Sequence, residues 1–207
     1  MRIKIILILS VFFWGCSPIL KTISGVKDIR IETTDGIKAF CLKTSVDLKE
    51  AYYYKTENLF EFPDSSQINF SFADQVLVFN EEGNRIIYKG KETGNYCSMP
   101  GSDFFSSLNS IFLPLDTINR LSNILSNYQN IETNSIAQID TADFYLVYFW
   151  AKWHKKLSKN SIEDIHAILS NAGDSITVQS FYLNNDFVSV NYPDNVDFKK
   201  LKIDVSF

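Results

Sequence analysis

The sequence predicts an α/β protein, and three observations carry that prediction. Residues 144–151, Phe-Tyr-Leu-Val-Tyr-Phe-Trp-Ala, form an unbroken apolar run of strand length without alternation, the pattern of a central strand buried on both faces. From about Ser158 to Ser170 the spacing becomes helical, and Asn171-Ala172-Gly173 supplies the glycine that a left-handed helix end favours. Ile176 to Leu183 then returns to a strand, so 144–183 reads strand, helix, strand, the order of a right-handed parallel unit.

Taken in chain order, the first element is a short helix from Gly36. Ile37, Phe40 and Cys41 follow helical spacing there, with Thr34 or Asp35 as N-cap. Ala51 to Tyr54 reads as a strand and the segment to Pro63 as a loop. Gln75 to Asn80 and Arg85 to Tyr88 are two apolar, β-branched runs around Glu81-Glu82-Gly83-Asn84, which predicts a hairpin over 75–88. Asp103 to Phe112 reads as a helix ended by Pro114, and Asp116 to Asn127 as a better one, capped by Asp116, with Ile118, Leu121, Ile124 and Leu125 on one face. Ser161 with Asp164, or Asn160 with Glu163, can cap the helix that follows the apolar strand. The organisation expected is residues 1–15 as a signal peptide, 16–30 as a lipidated N-terminus and tether, 31–115 as an N-terminal α/β segment with the hairpin, and 116–207 as the β-α-β segment.

The stretch Phe149-Trp150-Ala151-Lys152-Trp153-His154-Lys155-Lys156-Leu157 resembles the thioredoxin signature. In that family an apolar strand ends in Phe-Trp-Ala-x-Trp, followed by Cys-x-x-Cys at the start of a helix. Here His154 and Leu157 stand where those cysteines would be. Thiol–disulfide exchange needs a thiolate with a lowered pKa and a second thiol to resolve the mixed disulfide, and neither residue supplies sulfur. The resemblance implies a thioredoxin-like central sheet flanked by helices, in permuted or incomplete order. After Leu183 the family would need a further helix, a cis-proline and a hairpin, and too few residues remain. On one reading the missing hairpin lies upstream, in 75–88, preceded by the helix at Gly36, which gives a permuted order; on the other the chain is a plain α/β protein of two half-elaborated α/β units packed together, and the cis-proline has no clear counterpart.

The N-terminus reads as an export signal, with Arg2 and Lys4 before the apolar run Ile5 to Phe13, which is too short to span a bilayer. Phe13-Trp14-Gly15-Cys16-Ser17 looks like a loose bacterial lipobox, which makes Cys16 the expected lipidation site; an ordinary cleaved signal peptide or an uncleaved anchor is the other reading of these residues. Acylation of Cys16 would give a protein anchored to a bacterial membrane in the cell envelope, its domain in the periplasm. Nothing later in the sequence is long and apolar enough to span.

Seventeen Phe and ten Tyr in a chain that is 45% hydrophobic predict a folded, strand-containing domain. The net charge of −4 becomes more negative once Arg2 and Lys4 are removed, which argues against a nucleic-acid partner. Cys41 and Cys97 remain after Cys16 is assigned to lipid; pairing between them is weakly supported, and Cys41 lies on the apolar side of its helix.

His154 stands at a helix N-terminus beside Trp153, positioned in principle for proton transfer, but no orienting carboxylate lies nearby in the sequence, and an exposed residue of a relic loop is the expectation. Lys152, Lys155, Lys156 and Lys159 form a basic cluster around the same loop, read as a solvated face or as a dock for an anion. His166 shares helical spacing with Ile162, Ile165 and Leu169 and reads as a boundary residue. No catalytic residue, zinc site or cofactor is expected. Tyr52, Tyr53 and Tyr54, with Phe60, Phe62, Phe70 and Phe72, read as core and edge packing, or as a partner patch if exposed together.

The function expected is therefore that of a non-catalytic, membrane-anchored thioredoxin-like lipoprotein. It would bind a protein partner or support an envelope assembly through the degenerate loop Trp153, His154, Lys155, Lys156 and Leu157 and exposed aromatics. The alternatives are a thiol oxidoreductase relative using Cys97 or Cys41, and a binder of anionic ligands at the Lys152–Lys159 loop.

Overall fold

Apolar runs without alternation need neighbours on both sides, and the strands of this chain find them in one seven-stranded mixed sheet. The structure is a computed structural model and describes residues 31–55, 75–87, 100, 104–105 and 115–191. The expectations for residues 1–30, Cys97, Tyr88, Pro193, the phenylalanines at 60, 62, 70 and 72, and most of the helix at 103–112 lie outside the described residues.

The strands are β1 (Ile31–Glu32), β2 (Ala51–Tyr54), β3 (Gln75–Asn80), β4 (Arg85–Ile86), β5 (Leu115–Asp116), β6 (Tyr128–Asn130), β7 (Phe144–Trp150), β8 (Val178–Asn184) and β9 (Phe187–Val188). The helices are α1 (Thr34–Lys43), α2 (Leu121–Leu125) and α3 (Lys155–Ser170). The large sheet runs β5-β4-β3-β7-β8-β2-β6, and β1 pairs with β9 in a small parallel sheet. β7 and β8 are parallel, joined through α3 as a β-α-β unit, and β2 lies parallel to β8 on its far side. The hairpin β3–β4 packs antiparallel along β7, with Gln75 opposite Phe149 and Asn80 opposite Phe144. The segments 31–115 and 116–207 both contribute to one sheet, with β7 and β8 of the second lying between β3 and β2 of the first.

Successive side chains of β7 point to opposite faces. Leu146, Tyr148 and Trp150 enter a core with Phe40 and Cys41 of α1, Ile162 and Ile165 of α3, and Tyr182. Tyr145, Val147 and Phe149 enter a second core with Leu77, Phe79, Phe181 and the α2 residues Leu121, Ile124 and Leu125. Two filled faces explain why β7 reads as continuously apolar. Tyr52 and Tyr53 are buried and Tyr54 is half-buried, which assigns the tyrosine run to packing rather than to an exposed patch.

Several boundaries differ from those the sequence predicts. The N-cap of α1 is Thr33, whose Oγ1 accepts from Gly36 N–H at 3.0 Å, one residue before the expected caps. Asp116 belongs to β5, and its carboxylate accepts from the N–H groups of Ile118 and Asn119, forming a turn. That turn delays the helix to Leu121 and leaves Ile118 79% exposed. α3 starts at Lys155, earlier than the capping pattern at 160–164 suggests, and no side chain caps it; Gly173 ends it with φ +81°. The hairpin turn forms as expected, with Gly83 at φ +74° and Asn84 N–H donating to Asn80 Oδ1 at 2.8 Å. Among the described residues no helix is long and apolar enough to cross a membrane.

Candidate functional site

In a sheet with parallel strands, loops at the carboxyl ends are the usual place for chemistry. Here that place is the turn from β7 into α3. Ala151 is extended, Lys152–His154 make one 3-10 turn, and His154 N–H closes it on the Ala151 carbonyl at 3.1 Å.

The turn is held from several sides. Ser158, fully buried one turn into α3, donates from Oγ to the Ala151 carbonyl at 3.1 Å and accepts from Ala151 N–H at 3.4 Å. From the end of β8, Asn185 N–H donates to the Trp150 carbonyl at 2.8 Å, and the Asp186 carboxylate accepts from Lys152 N–H at 2.8 Å. The same Asp186 oxygen accepts from the Asn184 side-chain amide at 2.7 Å. From β1, Glu32 forms an ion pair with Lys152 Nζ. The approach of this ammonium to α1 is close: a Cβ added to Gly36 would lie 3.0 Å from Lys152 Nζ. Behind the turn, the Trp150 ring stacks on Phe40 with centroids 4.8 Å apart and planes 18° from parallel.

Asp186 is the unusual group here. It is 4% exposed, and its Oδ1 has no hydrogen-bond partner among the described residues. Burial pushes its carboxyl from an ordinary 3.8 up to about 6, against the Lys152 N–H and Asn184 hydrogen bonds that hold it down; Glu32 raises it further and the Lys152 charge lowers it. Sequence reasoning missed this residue. Its signal was the polar run Asn184-Asn185-Asp186 directly after an apolar strand, at the end where parallel strands present their loops.

The structure corrects the expected exposure of the degenerate loop. Trp153 and His154 are both 8% exposed, their rings edge to face at 3.9 Å, so His154 is a packed residue and not an exposed one. What reaches solvent is Lys155, Lys156 and Leu157, the last 43% exposed. The exposed large hydrophobic residues among those described are aliphatic, so exposed aromatics do not extend this face. The basic cluster also divides: Lys152 is paired with Glu32, and Lys159 with Glu163 one helical turn on at 3.3 Å. Two of the four lysines are therefore neutralised, which weakens an anion dock.

Cys41 is a free, fully buried thiol, and burial pushes its pKa from 9.0 up to about 12. A thiol so protonated is no nucleophile near neutral pH. Among the described residues no three His, Cys, Asp or Glu side chains gather as a metal cage.

Fold and site together define a mixed α/β protein whose sheet-end turn is tightly held and contains no sulfur. Comparison of the chain with family models, with curated proteins and with solved structures gives no match.

Proposed function

We propose that this chain is a membrane-anchored, non-catalytic protein on a thioredoxin-like scaffold in permuted order, acting in the bacterial cell envelope by binding a protein partner. The observation that carries the reading is the β7–α3 turn. The two positions that hold sulfur in the thioredoxin signature are held by packed His154 and by Leu157, in a loop fixed by Ser158, Asp186 and Glu32.

Permutation requires the upstream hairpin to lie beside the signature strand, and β3 pairs with Phe144 to Phe149 of β7. The partner face on this reading is the start of α3, where Lys155, Lys156 and Leu157 are exposed. Attachment to the membrane rests on the N-terminal sequence, with Cys16 as the acylated residue and residues 17–30 as the tether. The enzyme alternative loses Cys41, whose thiol is buried and raised in pKa, and falls to Cys97 alone.

The test is the intact mass of protein extracted from the membranes of an expressing Gram-negative host, alkylated without reduction, together with a disulfide-reduction assay on the same sample. The expected result is a chain cleaved before Cys16, carrying acyl groups, without reductase turnover. A chain that begins at Met1, or turnover abolished by Cys97→Ser, would overturn the reading.

A further inference from the structure

At the opposite end of α3 from the turn, a cleft of about 350 Å³ opens between the α1–β2 connection, the last turns of α3 and the middle of β8. Along α3, at about 1.5 Å rise per residue, His166 at the rim of the cleft lies roughly 16 Å from Lys155, and the two places share no lining residue, so they are separate sites. The volume is sufficient for a small molecule.

The cleft has a chemical polarity. Leu169, Ile176 and Val178 supply apolar lining, and Asp47 and Glu50 supply two carboxylates. Among the described residues no lysine or arginine lines the space. Ser180 Oγ donates to Glu50 Oε2 at 2.8 Å and orients it. Burial raises the Glu50 carboxyl above its ordinary value, the Ser180 hydrogen bond lowers it and the Asp47 charge raises it further, and among the described residues no cation acts to lower it.

Ala172 and Gly173, at the end of α3, also line the cleft, and no basic side chain lies in the last turn of that helix. The negative pole of a four-turn helix thus lies on the same side as the two carboxylates, with no basic side chain in its own last turn to balance it. His166, at the rim against Tyr182, is held below its ordinary pKa by burial, against the raising effect of the Glu163 charge.

We propose that this cleft binds a small free organic cation, a primary ammonium or guanidinium on a short aliphatic stem. Glu50 and Asp47 serve as its counter-charges, and the apolar lining of Leu169, Ile176 and Val178 holds the stem. The proposal uses no residue of the β7–α3 turn and stands whether or not the scaffold reading does.

The experiment is isothermal titration of the full chain in detergent with cadaverine and with agmatine, and with 1,5-pentanediol as a neutral isostere. Saturable binding of at least one cation is expected, with no binding of the diol and at least a tenfold loss in Glu50→Gln. Glutamine keeps the oxygen that accepts from Ser180, so the variant's melting temperature should stay within a few degrees; if it unfolds, Asp47→Asn carries the test with about a threefold loss. The proposal is overturned if neither cation binds, if the diol binds as well as cadaverine, if affinity survives both substitutions, or if N-acetyl-lysine amide binds and the free amines do not.

Discussion

Asp186 and Lys152, 34 residues apart in sequence, are joined twice: the carboxylate accepts the Lys152 backbone N–H at 2.8 Å and also feels the charge of its ammonium. Burial outweighs both interactions, and the same ammonium also pairs with Glu32, whose charge raises the Asp186 carboxyl further. A carboxyl with a folded-state pKa of about 6 and an unfolded value near 3.8 takes up a proton on folding between those pH values. Its contribution to stability is therefore greatest below pH 3.8 and is lost as pH rises through about 6. At about 1.4 kcal/mol per pKa unit, the shift corresponds to roughly 3 kcal/mol of destabilisation at neutral pH. In Asp186→Asn the side-chain oxygen still accepts from Lys152 and Asn184. The variant is expected to melt higher than the parent at pH 7–8, the advantage vanishing near pH 4. A parent that melts higher at pH 7 would show that the ammonium outweighs desolvation.

Phe40 and Trp150 tie α1 to the end of β7 by a stacked pair at 4.8 Å, with Trp150 fully buried and Phe40 6% exposed. Trp150→Ala is expected to destabilise the fold by about 3–5 kcal/mol, through lost transfer energy and the cavity left behind. A double-mutant cycle with Phe40→Ala should return about 0.5–1.5 kcal/mol of coupling beyond additivity, read by denaturant unfolding. Full additivity would mean that the two rings contribute only by burial.

The parts legible in the sequence were those where local pattern and tertiary context agree. β7, the body of α3 and the hairpin turn at Gly83 announce themselves because filled faces, helical spacing and a positive-φ glycine leave direct marks. The start of α3 was hidden because His154 occupies its N-cap without making a cap bond, so the usual signature is missing. The helix expected from Asp116 failed because an aspartate that can cap a helix can equally close a turn, and pairing of β4 with β5 selected the turn. Asp186 was invisible because its burial depends on Glu32, Lys152 and Asn184 meeting from three elements. The cleft at Glu50 was hidden for the same reason, since its walls come from residues 45–50, 166–173 and 176–182.

Asn130, at the end of β6 and 5% exposed, joins two loops. Its side-chain amide donates to the carbonyls of Leu48, Lys49 and Ala51 at 2.9, 3.1 and 3.2 Å, and its oxygen accepts from the N–H groups of Glu132 and Thr133. In Asn130→Leu the three carbonyls keep second donors in Ala51 N–H, Tyr52 O–H and Ile131 N–H, while the N–H groups of Glu132 and Thr133 lose their side-chain acceptor, at about 1–3 kcal/mol for each one that water cannot reach. The expected result is a loss of at least about 2 kcal/mol in denaturant unfolding, with hydrogen exchange accelerated in β2 and β6 more than in β3 and β7. A uniform acceleration across the sheet would argue that the residue has no local role.

Cys41 tests the packing of α1 against the sheet without any substitution. Its thiol is fully buried among apolar neighbours and raised to about 12, so at pH 8 both the thiolate fraction and access are small. Alkylation of Cys41 in the native protein should therefore run at the rate of opening and not at that of free thiol chemistry. Raising the reagent concentration should bring the rate to a plateau set by opening, and below that plateau Phe40→Ala, which loosens α1, should raise the labelling rate by the factor by which it increases the open population. Rapid labelling of Cys41 in the unperturbed chain, followed by peptide mapping to separate it from Cys97, would mean that α1 opens independently of the sheet. The Phe40–Trp150 stack would then be too weak to hold the helix across the carboxyl end of β7.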